Sequence, residues 1–470
     1  MYQRPKIDPI RYNIDLMKKR NHDAVLRRTY EKVVILDDDP TGIQTIHDLY
    51  VYTSYDLDTL RLAFQDDHRT FFILTNSRSL FPAETAEIHR EIAENLCKIS
   101  KELKIPFQLI SRTDSTLRQH YPLETQVLNA SMDVPYDGEI LIPALFGGNR
   151  FTVNDVHYVV DNDQWIPCNQ TDYANDKTFG YKSADLKEWI EEKTHGEFKS
   201  SDVISISLEE LRNGDIDGIT DKLNQVNSFN KVIVNAVEQD DIMVFTIALY
   251  RSLDKGKRFL YRTSASFINS FIDCDQTPLL HKNQVVDPAN HNGGLIVIGS
   301  HVSKTTHQLE RLKRDAKKIT FIEFNQHLVL TDELDKETLR VTAVVDALLR
   351  SGTSVVVSTR RDRVDFSGND PEKQLAMTRA IANALMSVVK DLTVLPRFLI
   401  SKGGITSSDI GTKSLGVSRA LVLGQILACV PVWKIENGKY IGLPYIIFPG
   451  NIGTDDALVD ILNELTEETQ

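Results

Sequence analysis

The stretch VVILDDDPTGIQT, from Val33 to Thr45, is an apolar strand that runs straight into three adjacent carboxylates, Asp37, Asp38 and Asp39, and then into a Pro-Thr-Gly turn. Neighbouring carboxylates repel one another, so this strand end needs something outside it to compensate: a cation, an arginine or a ligand hydroxyl. The first half of the chain repeats the apolar run in TFFILTNS, PFQLISRT, GEILIPAL and KVIVNAV, and the second half in GGLIVIGS, ITFIEF, TSVVVSTRR, PRFLISKGG and PYIIFPGN. Between the runs lie helical patterns such as FPAETAEIHREIAENLCKISKEL, with Ile88, Ile92, Leu96 and Ile99 on one face, and a segment from Pro371 to Leu392. Short apolar runs alternating with helices predict an α/β protein of two domains, each built on a largely parallel sheet flanked by helices, with the ligand cleft between them. The unpatterned text from Asp273 to Asn292 carries two prolines and reads as a linker. That divides the chain into an N-terminal extension (1–28), a first domain (29–272), the linker (273–292) and a second domain (293–470).

The 470 residues are 41% hydrophobic and 26% charged with a formal net charge of -12. This composition suits a globular protein and argues against a nucleic-acid or anionic-membrane partner. MYQRPKIDPIRYNIDLMKKR has no apolar core, and no apolar run reaches the roughly 18 residues that span a bilayer, so a cytoplasmic protein is expected. The four cysteines are scattered without CxxC spacing, and no HxxxH pair with a third ligand occurs, so neither a disulfide frame nor zinc is expected.

In open α/β sheets ligands gather beyond the carboxyl ends of strands. In the first half those ends supply Asp37, Asp38 and Asp39, then Asn76, Ser77 and Arg78, then Arg112, Thr113, Asp114 and Ser115, with Arg118, His120 and Arg150 close behind. Singly, such residues serve as caps and turns. Together, carboxylates that accept from sugar hydroxyls and arginines that grip a carboxylate suit a small polyhydroxy acid. In the second half the strand ends are small: Gly299, Ser300 and Ser303 before a helix start expected at Thr305; Lys402, Gly403, Gly404 and Thr406; and Gly450, Asn451 and Gly453. Glycines and hydroxyls at helix starts let backbone amides approach phosphate. No Walker loop or GxGxxG is present, so phosphate binding by three separate glycine-hydroxyl loops is the economical reading. A carboxylate would take the hydroxyl proton during phosphoryl transfer.

These motifs resemble the four-carbon acid sugar kinases, ATP-dependent enzymes acting on acids such as threonate, erythronate and 3-oxo-tetronate, over about Val33 to Leu462. The Asp-Asp-x-Thr-Gly motif is matched by Asp38, Asp39, Thr41 and Gly42, the Ser-Arg by Ser77 and Arg78, and Asp-Ser-Thr-Leu-Arg by Asp114 to Arg118. The resemblance implies Asp38 and Asp39 as catalytic and substrate residues, with Arg78, Arg112, Asp114, Ser115 and Arg118 as further substrate contacts. It implies ATP binding by Ser300 and Ser303, by Gly403, Gly404, Ile405 and Thr406, and by Gly450 and Asn451. It also implies a magnesium ion without assigned protein ligands (Asp455 and Asp456 are candidates, helix capping their simpler role) and a homodimer. Arg112 for lysine, Gln119 for glycine and Ile405 within the Gly-Gly loop depart from the common pattern, so the acid itself stays open.

Two other readings compete. DDDPT satisfies the Asp-x-Asp-x-Thr of haloacid-dehalogenase-type phosphatases, with Asp37 as nucleophile and Asp39 as acid, but no later lysine and paired-aspartate motif follows. A non-catalytic metabolite-binding relative would bind without turnover. His301, inside a candidate phosphate loop, is expected to contact phosphate or base.

Overall fold

The computed structural model describes residues 3–40, 46–274, 278–331, 333–362, 364, 371–450 and 452–466, with the side chains of 371–375 and 405 excepted. Thr41, Gly42 and Asn451 therefore lie outside the described residues. The chain divides into two compact units, 1–45 with 54–276 and 46–53 with 277–470.

The first unit is built on seven parallel strands in the order Thr70–Leu74, Lys32–Asp37, Phe107–Arg112, Phe259–Thr263, Gly138–Ile142, Asn230–Val234 and Ile204–Ile206. Every residue of Lys32–Asp37 and of Thr70–Leu74 is buried, as continuous apolar runs require when helices cover both sheet faces. The Pro82–Leu103 helix starts with proline in its first turn, which sacrifices no hydrogen bond there. It buries Ile92, Leu96 and Ile99, whereas Ile88 of the same stripe is only half-buried. A separate three-stranded antiparallel sheet, Arg150–Val153, Val156–Asp161 and Gln164–Pro167, follows the Gly138–Ile142 strand.

The second unit carries five parallel strands, Ile319–Phe324, Ser354–Thr359, Leu295–Ile298, Leu399–Lys402 and Pro444–Phe448, in that order. Three antiparallel strands continue it: Val430–Ile435, Arg419–Leu427 and, from near the start of the chain, Leu49–Tyr52. The sequence reading gave residues 29–272 to the first domain without a break. The 46–53 segment belongs instead to the second unit, where Leu49–Tyr52 pairs antiparallel with Arg419–Val422. A strand borrowed from far along the chain leaves no local pattern, because the pairing is set by a partner more than 360 residues away.

Candidate functional site

The chain leaves Lys32–Asp37 for the strand on one side, Thr70–Leu74, and returns to the other side at Phe107–Arg112. That reversal makes the carboxyl end of the first strand a topological switch point, where strand-end loops diverge and leave a crevice. Asp37 to Asp39, Asn76 to Arg78 and Arg112 to Arg118 all emerge there. Asn76 takes the left-handed conformation (φ 54°), which asparagine tolerates, and turns Ser77 and Arg78 back over the strand end.

Arg78 grips Asp38 with a two-point fork, Nη2 donating to Oδ1 at 2.6 Å and Nε to Oδ2 at 3.1 Å. Its Nη1 reaches Asp39 Oδ2 at 3.4 Å and lies 3.9 Å from Asp114 Oδ1. Arg112 Nη1 donates to Asp37 Oδ1 at 3.1 Å and stands 3.8 Å from Asp38 Oδ1. Arg118 Nε donates to Asp114 Oδ2 at 3.0 Å. That contact depends on Leu117, which sits at φ 69° and anchors its side chain in the core, so that Arg118 doubles back. The three adjacent carboxylates are thus neutralised within the protein by an interleaved set of guanidinium groups.

The balance differs at each carboxyl. Burial pushes Asp37 up to about 7 despite Arg112. Burial also raises Asp38, with the Arg78 fork opposing. At Asp114 burial acts upward as well, but Arg118 and Arg78 outweigh it and hold the carboxyl well below the usual range. Asp37 is fully buried, which removes the nucleophile that a phosphatase of the haloacid-dehalogenase type would need exposed.

Behind this front stand residues that the sequence reading did not assign. Ser77 donates to Glu124 Oε1 at 2.6 Å, and burial together with the Asp38 charge pushes Glu124 up to about 7. His157, a buried imidazole lowered to about 4 by desolvation, donates from Nε2 to the Ser115 carbonyl at 2.8 Å and accepts at Nδ1 from Thr152 at 3.0 Å. It is thereby a strut for the loop carrying Ser115. Tyr173 lies under the Arg118 guanidinium at 4.7 Å from its ring centre. The small antiparallel sheet supplies the Thr152–His157 pair, and nothing in the local pattern around His157 announces that use. His120 Nε2 bonds the Leu80 carbonyl at 3.0 Å.

In the second unit the chain again reverses beside its first strand: from Leu295–Ile298 it passes to Ser354–Thr359 on one side and to Leu399–Lys402 on the other. The loops after Ile298, Lys402 and Phe448 converge. A Cβ on Gly299 would fall 2.6 Å from Thr406 Oγ1, one on Gly403 would fall 3.2 Å from Ser300 Cβ, and one on Gly450 would fall 3.5 Å from Ser300 Oγ. Gly403 has φ 119°, a conformation reserved for glycine. Thr305 Oγ1 donates to the Gly450 carbonyl at 3.1 Å and ties two loops together. The helix begins at Ser303, two residues ahead of the expected Thr305, so Ser303 occupies its first turn and Gly404 opens a second helix, Gly404–Asp409. Both helix starts lie in this one loop cluster, an arrangement that suits phosphate. Lys402 is buried there, with Nζ donating to the Pro449 carbonyl at 2.5 Å and lying 3.7 Å from the Phe448 ring centre. Desolvation lowers this amine to about 7, and the Lys304 charge adds to the effect. His301 Nε2 bonds the Arg360 carbonyl at 3.1 Å.

Asp455 and Asp456 pair with Lys304 and Arg311, at 3.6 and 2.5 Å. Among the described residues no three His, Cys, Asp or Glu side chains stand together as a metal site, and no helix is long and apolar enough to cross a membrane.

Comparison with known proteins finds two family models matched in succession. Residues 33–271 match the family model of a sugar-binding N-terminal domain, and residues 295–458 that of a nucleotide-binding C-terminal domain. No curated protein sequence matches the chain. Among solved structures, the Haemophilus influenzae protein HI1011 superposes with a TM-score of 0.60 at 17% identity, covering 92% of this chain and 100% of that one. A Salmonella typhimurium LT2 protein described as a candidate tRNA synthase superposes with a TM-score of 0.65 at 13% identity, covering 91% and 98%. At these identities the two structures speak for the fold alone.

Proposed function

The chain belongs to the four-carbon acid sugar kinase family, with a sugar-binding N-terminal and a nucleotide-binding C-terminal domain, and from that premise we propose that it transfers the γ-phosphoryl group of ATP to a hydroxyl of a four-carbon or similar sugar acid. The observation that carries this reading is the carboxylate–guanidinium lattice at the first switch point. It offers acceptors for sugar hydroxyls and a base for the proton of the attacking one.

Asp39 is the base in this reading. Both oxygens of Asp38 are occupied by the Arg78 fork and its side chain is 2% exposed, whereas the Arg78 guanidinium stands 3.4 Å from Asp39, whose side chain is 14% exposed. Asp38 then orients Arg78 and accepts from the substrate edge. Arg112, Asp114, Ser115 and Arg118 complete the acid's surroundings. ATP lies with its phosphates on Ser300, Ser303, Gly403, Gly404, Ile405, Thr406, Gly450 and Asn451. Backbone amides and the Lys402 amine oppose the phosphate charge. Among the described residues no three His, Cys, Asp or Glu side chains stand together to hold a metal ion, so magnesium would be held mainly by the phosphates. A homodimer in the cytoplasm completes the proposal, and sedimentation of the full chain tests its assembly state.

The functional test is ADP release in the presence of magnesium, ATP and a panel of threonates, erythronates and oxo-tetronates, run with Asp39→Asn alongside. ADP release that depends on one acid and is lost in the variant is the expected result. Hydrolysis of phosphate esters without nucleotide, and no acid-dependent ADP, would overturn it.

A further inference from the structure

Arg78, Arg112 and Arg118 were each expected to grip the acid, yet each already holds an aspartate of the site. Arg262 does not. It lies in the Phe259–Thr263 strand, level with Ser111 and Leu141 of its neighbours, and is 1% exposed. Its Nε, Nη1 and Nη2 all lack a hydrogen-bond partner. The rings of Tyr121 and Trp189 lie 5.2 and 4.9 Å from the guanidinium carbon. Glu139, Glu124 and Asp38 act on this guanidinium through space only: Glu139 Oε2 holds Lys231 Nζ at 2.6 Å, Glu124 Oε1 holds Ser77 Oγ at 2.6 Å, Asp38 holds Arg78, and none of them hydrogen-bonds Arg262.

Gln119 is equally incomplete. It is 4% exposed, and both its amide oxygen and its amide nitrogen lack partners. Its carbonyl accepts from Tyr121 N at 2.8 Å, so Gln119 adjoins the residue whose ring faces Arg262. Ser264, two residues on from Arg262, is buried with its hydroxyl unpartnered. A buried guanidinium with none of its N–H groups hydrogen-bonded is costly, and the orphaned Gln119 amide and Ser264 hydroxyl add to the cost.

We propose that Arg262, Gln119 and Ser264 form a subsite for the carboxylate of the sugar acid, leaving Arg78, Arg112 and Arg118 to hold the aspartates that face its hydroxyls. A planar guanidinium meets a carboxylate in a two-point fork, and the Gln119 amide nitrogen supplies a further donor. The subsite rests on the kinase reading, since its occupant is that enzyme's substrate.

The test uses the full chain with threonate and erythronate against the carboxylate-free polyols threitol and erythritol. Binding is measured by calorimetry and turnover with ATP, for the wild type, Arg262→Lys and Gln119→Ala. The wild type is expected to prefer the acids. In both variants KM for the acid rises about 10-fold or more while kcat changes far less, as loss of a charged hydrogen bond predicts. Polyol binding stays as it was. Acid binding in both variants as tight as in the wild type overturns the subsite and leaves the kinase standing. A wild type that binds and phosphorylates no acid, while still binding nucleotide, overturns both. Where circular dichroism finds Arg262→Lys unfolded, Gln119→Ala decides alone, and a crystal soaked with erythronate that holds only water against Arg262 also overturns the subsite.

Discussion

Arg78 and Asp38 meet through two hydrogen bonds of 2.6 and 3.1 Å, with Asp38 buried and Arg78 reaching on to Asp39 and Asp114. One arginine thus spans three carboxylates from two different strand-end loops. Its removal affects the site's charge as well as its shape.

The first prediction follows. Arg78→Ala leaves Asp38 buried without its main counter-charge, a change that costs about 3 kcal/mol, the low end for a buried pair, because the Arg78 side chain is 23% exposed. Denaturant unfolding at pH 7 measures that loss. Because burial already raises Asp38 and Arg78 opposes it, the variant's loss is largest at high pH and shrinks as Asp38 is allowed to protonate. Arg78→Lys restores a point charge but not the fork, and its stability falls between the two.

Much of this site was legible because strand-end residues follow apolar runs at once, and the order of the motifs fixes which loops carry them. Strand order was not legible, and it is strand order that puts the Asp38 and Arg78 loops side by side. Arg112, Arg78 and Arg118 read equally well as grips for a ligand carboxylate, since sequence does not show which charges a fold will pair internally. Arg262 lies within a strand whose other residues pack, and only the absence of a hydrogen-bond partner distinguishes it. The Leu49–Tyr52 strand escaped for a different reason: its partner is the Arg419–Leu427 strand, and pairing over that span leaves no periodic trace.

The second prediction concerns Glu124. Burial holds its folded pKa at about 7, well above the ordinary carboxyl value near 4.3 that applies once unfolded. Between those values the folded state binds more protons than the unfolded one, so stability falls as pH rises from about 4.5 to 7. The contribution is on the order of 3–4 kcal/mol across that window, since each unit is worth about 1.4 kcal/mol. Glu124→Gln keeps an oxygen for the Ser77 hydroxyl and removes the ionisation. Melting curves should therefore give the variant a higher Tm than the wild type at pH 8 and nearly the same Tm at pH 5. Equal differences at both pH values would assign Glu124 a packing role only.

The third prediction tests the glycine cradle. Gly403→Ala forces an L residue to φ 119° and brings its Cβ to 3.2 Å from Ser300 Cβ. The expected cost is about 1–3 kcal/mol of stability from strain at that position, with nucleotide affinity reduced further because the 299–300 loop must shift. Gly416→Ala is the control, since Gly416 also has a positive φ of 62° but meets nothing within 4 Å. It shares the backbone strain, and it should leave ATP binding by calorimetry unchanged.

Lys402 carries the last prediction. Its amine is buried against the Phe448 ring and one carbonyl, and desolvation lowers it to about 7 from an unfolded value near 10.4. The unfolded chain therefore holds the extra proton between those values, so this lysine's contribution to stability rises with pH from about 7 to 10 and is lost as pH falls toward 7. A phosphate arriving at the Gly299, Gly403 and Gly450 loops supplies the missing anion and draws the proton back. Calorimetry of ATP binding at pH 8, repeated in buffers of different ionisation enthalpy, should detect net uptake approaching one proton. Lys402→Met abolishes that uptake and weakens ATP about 10-fold or more, the scale of a lost charge-assisted hydrogen bond. Uptake that persists in the variant would mean another group titrates with the nucleotide and that Lys402 stands apart from the phosphates.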